Sequence, residues 1–511
     1  MSTPGAESER RPWGPAVLLC ATVLLVPVGA PGATVSIPAL ATDLDAPAAV
    51  TNWVINAFML AFASALAVAG ALADRWGRRR MLAIGLLIFV AGNLLIAAAP
   101  AIWAVVLGRA VSGIGAAAIT TGGSALLSSS YRGAQRATVF AILGTSLGLG
   151  LAFGPTLSGL AITAVGSWRG LYLVYAAVAV PSLLLARRVL PRDLAVSRPE
   201  RFDLAGALTW TVALAAFMIA VSLGPEAGWV SWPTAAAFGV SVLAAIAFLA
   251  AERRADQPLI ELALLRVRQF GAVCLAVTLA AFGFVSLVFT LGVFLSVAHG
   301  ASALGTGLML LALTAPTLVV PMLIGRVAHR LSLRWLLPGS MLVIALGCVL
   351  LAAVGPDGPM LIAGPPMVII GAGFGLSLAV LDGAALAVAP AGREGMAAGM
   401  FNTVRVGTEA IAVVVVTAVV HTVTSTRVGA PAAAALLSGR PAAGAAGIAA
   451  YSAGWQVALV AIAALCAAGA FVIRRQLRPE RDAGGLRRSP GAGRGSRRRA
   501  SAEPAAYAPR S

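Results

Sequence analysis

Stretches of mostly apolar sequence, each long enough to cross a bilayer, recur fourteen times along this chain of 511 residues. The hydrocarbon core of a bilayer is about 30 Å thick, which a helix of about 20 residues spans. A backbone facing lipid has no water to bond, so each such stretch must satisfy its own N–H and C=O groups as a helix. The runs read as 15–41, 50–73, 81–99, 102–128, 137–165, 171–190, 204–223, 232–251, 270–298, 303–325, 335–354, 360–381, 399–423 and 454–473. They predict an all-α polytopic membrane protein with fourteen transmembrane (TM) helices. Composition agrees: 11% of residues are charged, against about a quarter in soluble domains.

The formal net charge of +18 would suit a nucleic-acid binder. Its arginines, however, sit in short clusters between apolar runs and in a C-terminal tail, without a basic surface interleaved with aromatics. No nucleic-acid partner is expected; the lipid bilayer is. The four cysteines, Cys20, Cys274, Cys348 and Cys466, each lie inside an apolar run and read as small packing residues, with no metal or disulfide implied. The N-terminal stretch has the basic start and apolar core of a signal peptide. Its apolar run continues past Pro38 to Ala41, which favours a first span.

Arginines alternate from loop to loop. Arg10 and Arg11 precede span one; Arg75 to Arg80, Arg132 and Arg136, Arg187 to Arg201, Arg253 to Arg268, Arg330 and Arg334, and Arg393 follow the even-numbered spans. The other loops carry mostly acids, such as Asp43, Asp45, Glu226 and Asp357. The positive-inside rule then places both termini in the cytoplasm of a multi-pass cell-membrane protein. The loop between spans thirteen and fourteen breaks the pattern with Arg427 and Arg440; being Ala/Gly/Pro-rich, it is expected to be an open, mobile connection. The arginine-rich tail is expected to be disordered.

One loop gathers most of the local charge: "GALADRWGRRR", residues 70–80, follows span two. A degenerate echo, "GRVAHRLSLR" at 325–334, follows span ten. The offset of eight spans suits two six-helix halves separated by two extra helices, since parallel repeats are known in transporters. The expected layout is a cytoplasmic segment 1–14, a six-helix bundle 15–190, two additional helices 204–251, a second six-helix bundle 270–473 and a tail 474–511. Within the first loop, Gly70 and Gly77 allow close approach of backbones. Asp74 can accept bonds at a helix N-terminus, and Arg75 and Arg78 can bridge it to neighbouring helices. Such a clasp could hold two half-bundles together; a plain positive-inside loop would need none of Asp74, Gly70 or Gly77.

These stretches resemble a known family. "GALADRWGRRR" is similar to motif A of the major facilitator superfamily. "LGRAVSGIGAA" (107–117) resembles motif B, with Arg109 and Gly113 in place and Ser112 where glutamine is common. "GLAFGPTLSG" (150–159) resembles motif C, the antiporter signature of drug exporters, through Gly150, Gly154, Pro155 and Gly159, with Ser158 replacing a glycine. The fit is to the fourteen-helix drug:proton antiporter branch. The resemblance implies a major facilitator fold of two six-helix bundles plus two extra helices. It implies a monomer that exports small amphipathic compounds by alternating access, driven by protons, with residues 70–80 as a gate latch. A facilitator for one metabolite is the alternative. A membrane enzyme or a non-transporting sensor is disfavoured: His299, His329 and His421 are scattered, and no nucleotide-binding loop or other cofactor site is visible.

Physical reading singles out a few of these residues. Arg109 lies deep in span four, where a charge is costly and should face the bundle interior; the alternative is snorkelling to an interface. The glycines and Pro155 of span five suit a bent helix that others approach closely. In span thirteen Arg405 and Glu409 share a helical face; Glu409 is a candidate proton carrier or the partner of Arg405, and Asp382 at the end of span twelve is the next candidate. The resemblance implies an aspartate about nine residues before Pro38, tied to proton coupling and to recognition of cationic drugs. That position is Gly29, and no acid lies between Glu9 and Asp43. Coupling is therefore expected elsewhere, or neutral or anionic substrates are preferred.

Overall fold

In the computed structural model, which describes residues 13–46, 48–131, 133–190, 203–255, 267–325, 332–354, 358–387 and 394–477, every apolar run is helical. The chain order is α1 (Gly14–Gly32), a 3-10 turn (Ala33–Ser36) and α2 (Ile37–Asp43), which together make one span. There follow α3 (Ala48–Thr51), α4 (Trp53–Trp76), α5 (Arg78–Ala97), α6 (Ile102–Ser130), α7 (Gly133–Val165), α8 (Trp168–Val189), α9 (Leu204–Ala227) and α10 (Trp232–Glu252). Then come α11 (Arg268–Ala280), a π turn and α12 (Ser286–His299) as one span, and α13 (Ala303–Thr314) with α14 (Pro316–Gly325) as the next. The series ends with α15 (Leu333–Ala352), α16 (Gly364–Ala387), α17 (Glu394–Val428), α18 (Ala430–Leu437) and α19 (Gly444–Gln476). Among the described residues, thirteen helices are long and apolar enough to cross a membrane. The fourteenth run, 50–73, falls on α4, a helix of 24 residues.

Local chemistry sets the breaks. Ser167, Asp203 and Ser302 accept hydrogen bonds from the backbone N–H groups of Arg169, Gly206 and Gly305 and so cap α8, α9 and α13. Between α4 and α5 the chain reverses through one residue, Gly77, whose φ of +103° favours glycine.

Helix packing sorts the spans by depth. The α11–α12 span is 83% buried and central, whereas α10 is 17% buried and on the rim. One set of contacts joins α1 to α7, α4 and α5 to α6, and α5 to α8; another joins α15 to α16 and α19, α14 to α16, and α17 to α19. Two seams link these sets, α7 against α13 and α4 against α17, while α9 packs on α10, α4 and α17. Large side chains on outward faces, such as Leu87, Leu346 and Val460, are more than half exposed, as lipid-facing positions should be.

The loop after span thirteen is not an open connection. Residues 430–437 form α18, which packs on α3, α12, α17 and α19. Arg440 then reaches back to the first span: its Nη2 donates to Ala41 O at 2.6 Å and lies 3.5 Å from Asp45. Gly439, at φ +86°, sits against Pro38, where an added Cβ would come within 2.8 Å. Of the two arginines that break the loop alternation, Arg440 is thus bonded to a carbonyl and paired with a carboxylate. The echo at 325–334 keeps only Gly325 and Ser332 to Arg334 inside the described residues, and the basic tail from 478 lies outside them.

Candidate functional site

The deepest charge is Arg109 on α6, 2% exposed. It does not snorkel. Nε donates to Val54 O of α4 at 2.9 Å, and Nη2 to Ala30 O of α1 at 3.4 Å. The guanidinium lies 4.2 Å from the centroid of Phe58, an attraction of up to about 2 kcal/mol when desolvated. Two carbonyls and a ring face thus surround a cation that has no carboxylate partner among the described residues. Gly113, one turn on, lies where a Cβ would come within 2.6 Å of Phe58 O, so α6 and α4 touch backbone to backbone there. Ser112 bonds back to Arg109 O at 2.9 Å.

Beside this cation runs a hydroxyl network that the sequence motifs did not flag. Tyr172 and Tyr175, both buried on α8, meet edge to face with centroids 6.0 Å apart. Tyr172 shares a hydrogen bond with Ser36 at 3.1 Å and Tyr175 one with Ser158 at 2.6 Å. The available signal was two tyrosines three residues apart in a span, in a chain that has five. Gly29 faces this network: a Cβ there would lie 3.6 Å from Phe89 and 3.8 Å from Tyr175, ordinary contact. Gly32 has no such room, since its Cβ would fall on the Ser158 and Tyr175 hydroxyls.

The glycines of span five are placed by two neighbours. On one side, a Cβ at Gly150 would come within 2.6 Å of Pro27, and one at Gly154 within 2.9 Å of Val28 O. On the other, a Cβ at Gly159 would lie 2.4 Å from Ala303 O, and one at Gly307 of α13 2.7 Å from Pro155 O. Thr156 donates to Gly307 O at 2.7 Å, and Thr314 to Ala152 O at 2.6 Å. Pro155 lies inside the continuous helix α7. This helix is therefore wedged between α1 and α13 by its small residues. A small cavity of about 80 Å³ opens beside the seam, lined by Thr34, Pro38, Gly292, Ser296 and Thr306 among others.

In the charged loop, the backbone of Asp74 lies in the last turn of α4, not at a helix N-terminus; its side chain lies outside the described residues. Arg75 is exposed in that turn, and Gly77 is the reversal point. Arg78 opens α5 and donates to Ala125 O of α6 at 3.2 Å. Gly70 is not required by packing, since only Thr121, 4.0 Å away, approaches its Cβ position. On α17, Arg405 and Glu409 are both partly buried, and the Arg405 guanidinium lies 5.7 Å from the Phe401 ring. Asp382 lies within α16, its side chain outside the described residues.

Residues 17–413 match the family model described as Major Facilitator Superfamily. The chain belongs to the major facilitator superfamily. It is 33% identical over 400 residues to a puromycin resistance protein of Streptomyces alboniger, covering 77% of this chain and 78% of that protein. It is 27% identical over 398 residues to the tetracenomycin C resistance and export protein of Streptomyces glaucescens, covering 78% and 74%. Among solved structures, a peptide transporter in complex with sulfate aligns over 93% of this chain and 98% of its own, with a TM-score of 0.64 at 15% identity. A bacterial homologue of the human lysosomal transporter Spinster, inward-facing and occupied, aligns over 91% and 98% with a TM-score of 0.63 at 15% identity. At those identities the structures establish the fold. This major facilitator is a membrane transporter, not an enzyme.

Proposed function

We propose that this major facilitator exports small amphipathic compounds, among them antibiotics or other secondary metabolites, across the cell membrane by alternating access driven by the proton gradient. The observation that carries this reading is the 33% identity, over most of both chains, to a protein named for puromycin resistance. The geometry supplies compatible parts. Arg109 and the Tyr172–Tyr175 hydroxyls form a polar patch at the meeting of α1, α4, α6 and α8. The α7–α13 seam, built of small residues and main-chain contacts, is one that two half-bundles could make and break without moving a large side chain. The halves are residues 15–190 and 270–473, with 204–251 as the two additional helices. The termini are cytoplasmic, the working unit is a monomer, Asp74 with its arginines is the cytoplasmic latch, and Glu409 is the first candidate for the proton.

A second reading is a facilitator without strict proton antiport. The glycine at position 29, with no acid between Glu9 and Asp43, favours it. Inverted vesicles with an imposed pH gradient separate the two. Proton-driven export predicts gradient-dependent uptake of puromycin or of a dye in a panel of cationic, neutral and anionic probes; facilitation predicts equilibration whatever the gradient. No transport of any probe would overturn both.

A further inference from the structure

At one end of the bundle, α9 meets α4 and α17 around a small polar cavity. Its polar lining is Asn52 and Asn56 from α4, Ser222 and Glu226 from α9, and Thr417 and His421 from α17. The end of α9 is tied down on both sides. Asn56 Nδ2 donates to Ser222 Oγ at 3.5 Å, and Trp229 Nε1 donates to Thr422 Oγ1 at 3.3 Å. The two ionisable groups lie at different depths. Glu226 is exposed at the mouth, whereas His421 is 3% exposed. The His421 Nε2 has no hydrogen-bond partner among the described residues, although its ring also meets the backbone of Ala430.

A buried polar nitrogen without a partner costs about 1–3 kcal/mol, so a ring kept in this setting calls for a ligand. The free volume, about 20 Å³, takes one water and nothing larger. A drug-sized solute is excluded on size, which leaves a proton as the ligand that suits a carboxylate and an imidazole lining one water-sized cavity.

We propose that Glu226 and His421 form a proton-binding site at the seam of α4, α9 and α17. Glu226 takes a proton from solvent at the mouth and passes it, through a single water, to the Nε2 lone pair of His421. The step leaves a carboxylate facing an imidazolium, and net charge is conserved. The other charged or titratable groups at this end of the elements packed against α17 are His299 of α12, Arg427 of α17 and Tyr451 of α19; none of them lines the cavity. On α4 and α18 there is none at this end. The site sits where an accessory helix contacts both seam-forming helices, so its charge state bears on the α4–α17 contact. Any service to export rests on the proton-driven reading above.

Only three histidines occur in the chain, His299, His329 and His421, so the site can be observed directly. The full chain, labelled with ¹⁵N-histidine and held in lipid nanodiscs, is followed by NMR between about pH 5 and pH 8; His299→Gln and His329→Gln assign the signals. We expect the His421 ring to pass from neutral to imidazolium within that window. In Glu226→Gln, an exposed change that spares the fold, we expect the protonated fraction at mid-titration to fall by about threefold or more, for loss of the facing carboxylate. A His421 ring that stays neutral throughout, or one whose titration ignores Glu226→Gln, overturns the site. The proton-driven reading is tested apart from this, by the gradient dependence of wild-type vesicles. A titrating His421 in a transporter indifferent to the gradient would uphold the site and refute the coupling.

Discussion

Gly159 offers the sharpest test of the α7–α13 seam. A methyl group in place of its hydrogen would sit 2.4 Å from Ala303 O and 2.8 Å from Ala303 C. Both obstacles are main chain, so no rotamer can relieve them; the two helices must part by about 1 Å to restore ordinary contact. Parting also stretches the Thr156–Gly307 and Thr314–Ala152 hydrogen bonds, 2.7 and 2.6 Å long. Overpacking of this kind costs about 1–3 kcal/mol. If that cost falls only on the arrangement in which α7 and α13 touch, Gly159→Ala shifts the balance toward separated helices by about 5- to 150-fold. Thr34, fully buried beside the seam cavity, provides the probe position. The four native cysteines are all buried, so a Thr34→Cys variant can be labelled with a maleimide against low background. We expect labelling to be about fivefold faster or more in the Gly159→Ala background. Gly148→Ala is the control on the same helix, because its Cβ would meet only Leu318 at 3.8 Å. Equal labelling rates in folded Gly159→Ala and Gly148→Ala proteins would refute the reasoning.

Arg440→Ala removes the tie from the α18 segment to Ala41 and Asp45; the Asp45 side chain is fully exposed, so the loss falls mainly on the bond to Ala41 O, and an adjacent Ser438→Cys should label a few-fold faster in its absence. Asp74→Asn keeps size and removes charge, so efflux should fall severely at equal membrane expression; near-normal efflux would make Asp74 loop decoration. Glu409→Gln should leave substrate binding intact and abolish the response of efflux to the pH gradient if Glu409 carries the proton. Loss of folded protein would instead mark it as the structural partner of the partly buried Arg405. Gly29→Asp has room for its Cβ beside Phe89 and Tyr175, so the variant should reach the membrane and shift the dye panel toward cations; an unchanged panel would detach position 29 from substrate choice.

Much of the fold was legible because lipid leaves few choices. A spanning apolar run must be a helix, so the helices were readable from the length of each run alone, whereas the reversal at Gly77, read in sequence only as a close approach of backbones, emerged from its φ of +103°. Packing was less legible. Gly70 and Gly159 look alike in sequence, yet one has open space and the other touches a carbonyl, a difference set by helices far away in the chain. The α18 segment was misread because an Ala/Gly/Pro-rich stretch has no periodicity strong enough to announce a docked helix. Its anchor, Arg440, is satisfied by a carbonyl of residue 41 that no local pattern reveals. Tyr172 and Tyr175 were visible as residues but not as a network, since their partners Ser36 and Ser158 come from two other helices.

Arg109 shows how a buried cation can be held without a counterion. A buried guanidinium needs its donors occupied far more than it needs one particular counterion, because the desolvated N–H groups carry the penalty. Val54 O and Ala30 O, near the break between α1 and the following 3-10 turn, accept two of those bonds, and Phe58 supplies an electron-rich face. With that arrangement an aspartate at position 29 is not required to keep Arg109 folded. With no carboxylate partner among the described residues, the positive charge is uncancelled beside two tyrosine hydroxyls. If that patch faces the substrate path, it repels cations and favours solutes that present oxygen acceptors. The dye panel therefore reads the electrostatics of Arg109 as well as the driving force. Uptake skewed to neutral and anionic probes is the outcome this arrangement dictates, and a strict preference for cations would mean that Arg109 does not face the substrate path.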